Sequence, residues 1–140
     1  MIWCRFDDAG RPGRPRYGLV EGDAVIPVTG DPFTWYEPLY AEPRAVPDVR
    51  LLPPVVPGTF FCAGLNYRGH AGRDVPSRPE IGYRANSALI GHREPIVRPA
   101  DYAEPLEAEG ELVAVIGRTV RHCTRAEARD AVLGWTIRWC

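Results

Sequence analysis

Lysine is absent from this chain; all seventeen basic residues are arginine. They are scattered from Arg5 to Arg138, and eighteen acidic residues bring the formal net charge to −1. A nucleic-acid or membrane-surface protein needs basic charge gathered on one face, so neither partner is expected. The scatter reads instead as the coding bias of a GC-rich genome. Long apolar runs are missing too. No stretch approaches the ~20 apolar residues of a spanning helix, and the first residues carry no signal-peptide pattern. A cytoplasmic protein is the expectation. Four cysteines, Cys4, Cys62, Cys123 and Cys140, form no C-x-x-C pair. An even count permits disulfides, but a chain that is neither small nor Cys-dense is expected to keep its thiols reduced and partly buried.

What is present is ordinary: 45% apolar and 25% charged residues over 140 positions. That suits a globular protein of one domain or two small ones. Residues 1–52 read as a β-rich region. Ile2 to Phe6 is a strand, and Tyr17 to Val20 with Ala24 to Val28 form a hairpin turned at Glu21-Gly22-Asp23. Thr34 to Tyr40 reads as a short helical turn. Five prolines between Glu42 and Pro57 predict an extended connector and a boundary. A second unit, residues 58–140, opens with a strand at Thr59 to Gly64. A loop or short helix follows at Asn66 to Gly72, with strand fragments at Ala88 to Ile90 and Ile96-Val97. Leu112 to Ile116 is the strongest strand. Thr124-Arg125-Ala126-Glu127 is a capping box, predicting a helix that runs from Ala126 to Leu133 and stops at Gly134. Trp135 to Trp139 reads as a last strand. The sum is an α+β fold, β-rich, with few helices.

The chemistry concentrates at Glu109-Gly110-Glu111, which leads into the apolar run Leu112-Val113-Ala114-Val115-Ile116. Residues two apart on a strand share a face, so the two carboxylates project together. Like charges held side by side call for neutralisation, and a hard divalent cation supplies it. The alternative reading is a solvated acidic strand end, since Glu104 and Glu107 are close by.

Three segments together resemble the fumarylacetoacetate hydrolase family. They are Phe61-Cys62-Ala63-Gly64-Leu65-Asn66-Tyr67-Arg68-Gly69-His70-Ala71, then Gly82-Tyr83-Arg84-Ala85-Asn86-Ser87-Ala88-Leu89-Ile90, then Glu109 to Gly117. The likeness runs in order from about Thr59 to Ile137 and implies part of a mixed β-roll behind a small N-terminal β region. It further implies a metal-dependent hydrolase or isomerase acting on a small 1,3-dicarbonyl or 2-oxo acid. The outcomes would be C–C bond hydrolysis, decarboxylation or keto-enol isomerisation. The cofactor would be a divalent cation, magnesium or manganese, acting as a Lewis acid. Carried over residue by residue, Glu109 and Glu111 are metal ligands, His70 is the general base, and Tyr83 and Arg84 contact substrate. Arginine at position 84, where relatives often have lysine, suits bidentate pairing with a substrate carboxylate. A homodimer is expected where a complete domain forms.

Read without the family, His70 is a solvated loop histidine, and His92 and His122 are read as solvent-facing. Some relatives pair the histidine matching His70 with a glutamate three residues on, where this chain has Arg73, with Asp74 or Glu80 as substitutes if the loop folds back. At the third ligand position, where the family has aspartate, this chain has Cys140, a soft donor ill suited to magnesium or manganese. The agreement stops at Ile137, which predicts a shortened catalytic domain and opens a second reading: a non-catalytic remnant or interaction module. Strands 112–116 and 135–139 would then lack neighbours, expose apolar edges, and leave the polypeptide poorly stable or self-associating.

Overall fold

Alternation along Ile2–Asp8 buries Cys4 and Phe6 and makes this segment, β1, an interior strand of the main sheet. The computed structural model describes residues 1–8, 10, 12–71 and 77–139, with only the backbone of 70 and 71. β2 (Arg16–Glu21) and β3 (Ala24–Gly30) follow as an antiparallel hairpin in which Glu21 faces Ala24. Gly22 begins the two-residue turn at φ +59, a region a residue without Cβ enters freely. β4 (Tyr36–Pro38), β5 (Arg44–Ala45) and β6 (Val49–Leu52) complete the sheet, in the order β4-β3-β2-β1-β6, with β5 also on β3. Both faces are packed. Cys4, Phe6 and Val25 form one cluster, with Val46, Val49 and Leu51 against it; Leu19, Ile26 and Val28 form the other, under Trp3 and Tyr36. The Trp3 and Tyr36 rings meet edge to face at 4.6 Å.

Two expectations in this half are corrected. Thr34 to Tyr40 is not a helical turn. The Asp31 carboxylate accepts hydrogen bonds from the Phe33 and Thr34 amides at 2.7 and 3.0 Å, and the chain then joins the edge of β3 as β4. The proline-rich stretch from Glu42 to Pro57 is not an uninterrupted connector. It holds β5, a 3₁₀ turn at Val46–Asp48 and β6, whose ladder with β1 pairs Phe6 with Leu51. Pairing with a distant strand outweighs the local proline signal, and Pro53 and Pro54 fall just after the ladder.

Beyond residue 58 the chain forms two separate hairpins. β7 (Phe60–Gly64) pairs with β8 (Glu80–Arg84), and α1 (Arg68–Ala71) lies between them in sequence. β9 (Gly110–Ile116) pairs with β10 (Val132–Trp139) across α2 (Arg125–Asp130). The capping box is present: the Glu127 amide donates to Thr124 Oγ1 at 3.3 Å and the Thr124 amide to Glu127 Oε2 at 2.7 Å. The Thr124 amide and hydroxyl, both donating to the Glu127 carboxylate, hold it below its ordinary pKa. α2 ends before the expected Leu133, capped at Ala131, and Gly134 lies inside β10 rather than stopping the helix. A register shift between Val132 and Gly134 absorbs the extra residue. Ala88 to Ile90 is not a strand: Ala88 closes a 3₁₀ turn, Asn86–Ala88, tied down by the Asn86 side-chain Nδ2 donating to the Pro57 carbonyl at 2.7 Å. Ile96-Val97 forms no strand and is exposed.

The N-terminal sheet touches the second part along β6. The His92 amide donates to the Leu51 carbonyl at 3.1 Å, and the Arg50 guanidinium pairs with the Glu94 carboxylate. A Cβ on Gly91 would stand 2.5 Å from the Leu51 carbonyl oxygen, so glycine is needed for this approach. Among the described residues no helix is long and apolar enough to cross a membrane.

Candidate active site

β7 and β8 supply the first half of the site. Their register sets Phe60 opposite Arg84 and Phe61 opposite Tyr83. Directly opposed residues share a face, so Arg84 with Phe60 and Tyr83 with Phe61 lie on opposite sides of the hairpin. The Phe61 and Tyr83 rings are 4.8 Å apart, tilted by 49°, and Tyr83 remains 77% exposed. At the end of β7 the chain turns through Leu65 at φ +49. A bulky side chain rarely adopts this conformation, which costs about 1–2 kcal/mol. That turn delivers the chain to α1 and His70, whose side chain lies outside the described part of the structure. Arg73, Asp74 and Cys140 lie outside the described residues altogether.

β9 supplies the second half. The strand begins at Gly110, so Glu111 sits within the ladder and Glu109 is exposed just ahead of it. Glu111 faces Arg138 of β10, and the Arg138 Nε–H donates to Glu111 Oε2 in a charge-assisted hydrogen bond. The same guanidinium lies over the Phe60 ring, 4.9 Å from its centroid. Glu111, Arg138, Phe60 and Arg84 therefore make a continuous line across the two hairpins. Tyr83 is on the other side of β8.

Arg138 and Phe60 are the residues that sequence reading missed. The E-x-E spacing flagged Glu111, but its partner depends on a cross-strand register that spacing along one strand does not carry. His92 and His122 are exposed, as expected. Cys4, Cys62 and Cys123 are free thiols, also as expected, and burial pushes the Cys4 thiol up to about 11. Clefts of about 380 and 290 Å³ lie elsewhere, the first lined by Asp8, Arg14, Arg16 and Glu42, the second between β6 and the turn at 91–94.

Carboxylates are the hard donors that magnesium and manganese take, so Glu109 and Glu111 fit such an ion by chemistry. No group of three or more His, Cys, Asp or Glu side chains is gathered for a metal among the described residues. Arg138 already neutralises Glu111, the half-buried member of the pair.

The model of the fumarylacetoacetate hydrolase C-terminal domain matches residues 59–138, and that of the Rv2993c-like N-terminal domain matches residues 1–54. Protein Rv2993c of Mycobacterium tuberculosis is 43% identical over 93 residues, 64% of this chain and 35% of that protein. A 4-hydroxyphenylacetate degradation bifunctional isomerase/decarboxylase of Salmonella dublin is 39% identical over 83 residues, 57% of this chain and 19% of the other. The crystal structure of 2-hydroxyhepta-2,4-diene-1,7-dioate isomerase from Mycobacterium marinum superimposes with a TM-score of 0.82 at 29% identity, over 99% of this chain and 53% of that one. The chain thus spans about half the length of that solved relative. With the C-terminal-domain model matching residues 59–138, more than half of its residues, the chain belongs to the fumarylacetoacetate hydrolase family.

Proposed function

We propose that this chain carries the acidic strand and the substrate-facing hairpin of an isomerase or decarboxylase acting on a small dicarbonyl or 2-oxo acid. The observation that supports it most is the line from Glu111 through Phe60 to Arg84, which sets an acidic group and a fixed positive charge on adjoining hairpins. The relatives named above, an isomerase and an isomerase/decarboxylase, favour keto-enol chemistry over C–C hydrolysis. A divalent cation, magnesium or manganese, held by Glu109 and Glu111 would supply stabilisation of the negative charge that develops on an enolate oxygen. Arg84 pairs with the substrate carboxylate through its planar guanidinium and fixes its orientation. Tyr83 contacts the substrate from the far side of β8. His70 moves the proton between carbon and solvent as general base. The compartment that suits such catabolic chemistry is the cytoplasm, and the assembly that suits it is a homodimer.

Ketonisation of the enol form of a 2-oxo dicarboxylate, followed by loss of enol absorbance with manganese present, tests this reading. His70→Ala is expected to slow the reaction by roughly 10²–10⁴-fold, the usual contribution of a positioned base, with manganese binding retained. A rate no faster than buffer with manganese alone would sink it.

A second reading is a non-catalytic interaction module. It rests on the outer face of β9 and β10, where Leu112, Ile116, Trp135, Ile137 and Trp139 are all more than half exposed. Such a face is built to be covered.

A further inference from the structure

We infer that Arg138 is a built-in counter-cation of the acidic strand, and that its guanidinium competes with a divalent ion for Glu111 and lowers the ion's affinity. This rests on the cation reading of Glu109 and Glu111 given above.

Three observations converge on it. Arg138 is the direct cross-strand partner of Glu111, so the two side chains leave the sheet on the same face and meet without distortion. The pair is partly sheltered, with 18% of the Arg138 side chain and 31% of the Glu111 side chain exposed, so water screens it less than a surface pair. The guanidinium is also seated over Phe60, which holds it in place from a different hairpin. A carboxylate oxygen accepting an N–H from arginine has committed lone-pair density that a hard cation would need, and two positive groups at one oxygen repel. Guanidinium and metal ion therefore compete for Glu111. The apparent ion affinity is lowered by whatever the pair contributes.

The experiment is a manganese titration read by the electron paramagnetic resonance of free aqueous Mn²⁺, on the whole chain in a non-coordinating buffer, with no substrate. Arg138→Gln keeps a long hydrogen-bonding side chain and removes the charge. It is expected to bind Mn²⁺ roughly tenfold more tightly than the native chain, the scale of one charged hydrogen bond. Glu111→Gln is expected to lose the ion in either background. Phe60→Leu leaves the charges alone but removes the ring beneath the guanidinium; it should tighten binding in the same direction by a smaller factor. That variant answers the question if Arg138→Gln does not fold, as judged by far-ultraviolet circular dichroism. Equal affinities in the native, Arg138→Gln and Phe60→Leu chains overturn the inference while leaving Glu111 as a ligand. Absence of Mn²⁺ binding in every chain overturns the cation reading and this inference together.

Discussion

The two halves of the molecule follow the same β-alternation and reach opposite ends. In the N-terminal sheet, β1 to β3 bury Cys4, Phe6, Leu19, Val25, Ile26 and Val28, with cover on both faces. In the hairpin of β9 and β10 every second residue is equally apolar, yet Leu112, Ile116, Trp135, Ile137 and Trp139 are 53–75% exposed. The only buried apolar residue of the described second half is Ala131. Hydrogen bonding is satisfied locally in both, because each hairpin completes its own ladder. Burial is not local. A strand is made by its neighbour in the sheet, but a core needs a second layer, and only the first half provides one from its own residues.

The sharpest way to break that comparison is to empty each half in turn. Phe6 is fully buried between the strands of the sheet and the segment at Val46 to Leu51. Phe6→Ala is expected to cost about 3–5 kcal/mol in urea-induced unfolding, through lost burial and a cavity that neighbours only partly fill. Ile137→Ala, at a site 75% exposed, is expected to stay within about 0.5 kcal/mol. Comparable losses at the two sites, measured well below the concentration at which the chain associates, would mean the outer face of β10 is covered within the monomer and the contrast is false.

Association sharpens the same contrast with a smaller effect. The face of Leu112, Trp135, Ile137 and Trp139 is a contiguous apolar surface beside a two-stranded ladder with open edges. Sedimentation velocity is expected to find the native chain self-associating at tens of micromolar, a range typical of weak apolar contacts. Ile137→Lys should return it to monomer without altering the far-ultraviolet spectrum. A native chain that sediments as a monomer at all concentrations would contradict this.

These contrasts also explain how much of the molecule its sequence discloses. Signals confined to a few consecutive residues read correctly. Thr124 and Glu127 cap α2, Gly22 turns the first hairpin, and Leu112 to Ile116 is a strand. Features that depend on distant pairing do not read. β6 was hidden among prolines because its partner, β1, is more than forty residues away in the chain. β8 has a glycine, two charges and only Ile81 and Tyr83 in alternation, a pattern too short to mark a strand without β7 beside it. At the candidate site, the acidic pair is proposed from spacing and Arg84 from resemblance. Arg138 was not, since its register with Glu111 depends on the irregularity between Val132 and Gly134. A slip of one residue there would turn its side chain to the other face.

The smallest expected effect concerns the contact between the two halves. Glu94 accepts from the Gly91 amide at 2.7 Å and pairs with Arg50 of β6, and these two interactions hold its carboxyl below the ordinary glutamate pKa. A carboxyl whose pKa is lower in the folded chain than in the unfolded one stabilises the fold above the unfolded value. That contribution is lost as pH falls through the folded value. The tie should therefore be complete at neutral pH and fail in the acid range below the ordinary pKa of glutamate, about 4.3. Because Glu94 is at the surface, the effect belongs to the contact rather than to global stability. Hydrogen exchange of the His92 amide, which bonds the Leu51 carbonyl, reads it directly. After correction for intrinsic exchange, its protection should fall on acidification in the native chain. In Glu94→Gln protection should be low and independent of pH, because the glutamine cannot pair with Arg50 as a carboxylate does. Protection that stays level through the acid range in both chains would show that β6 holds the 91–94 turn by the backbone hydrogen bond and the close approach at Gly91 alone.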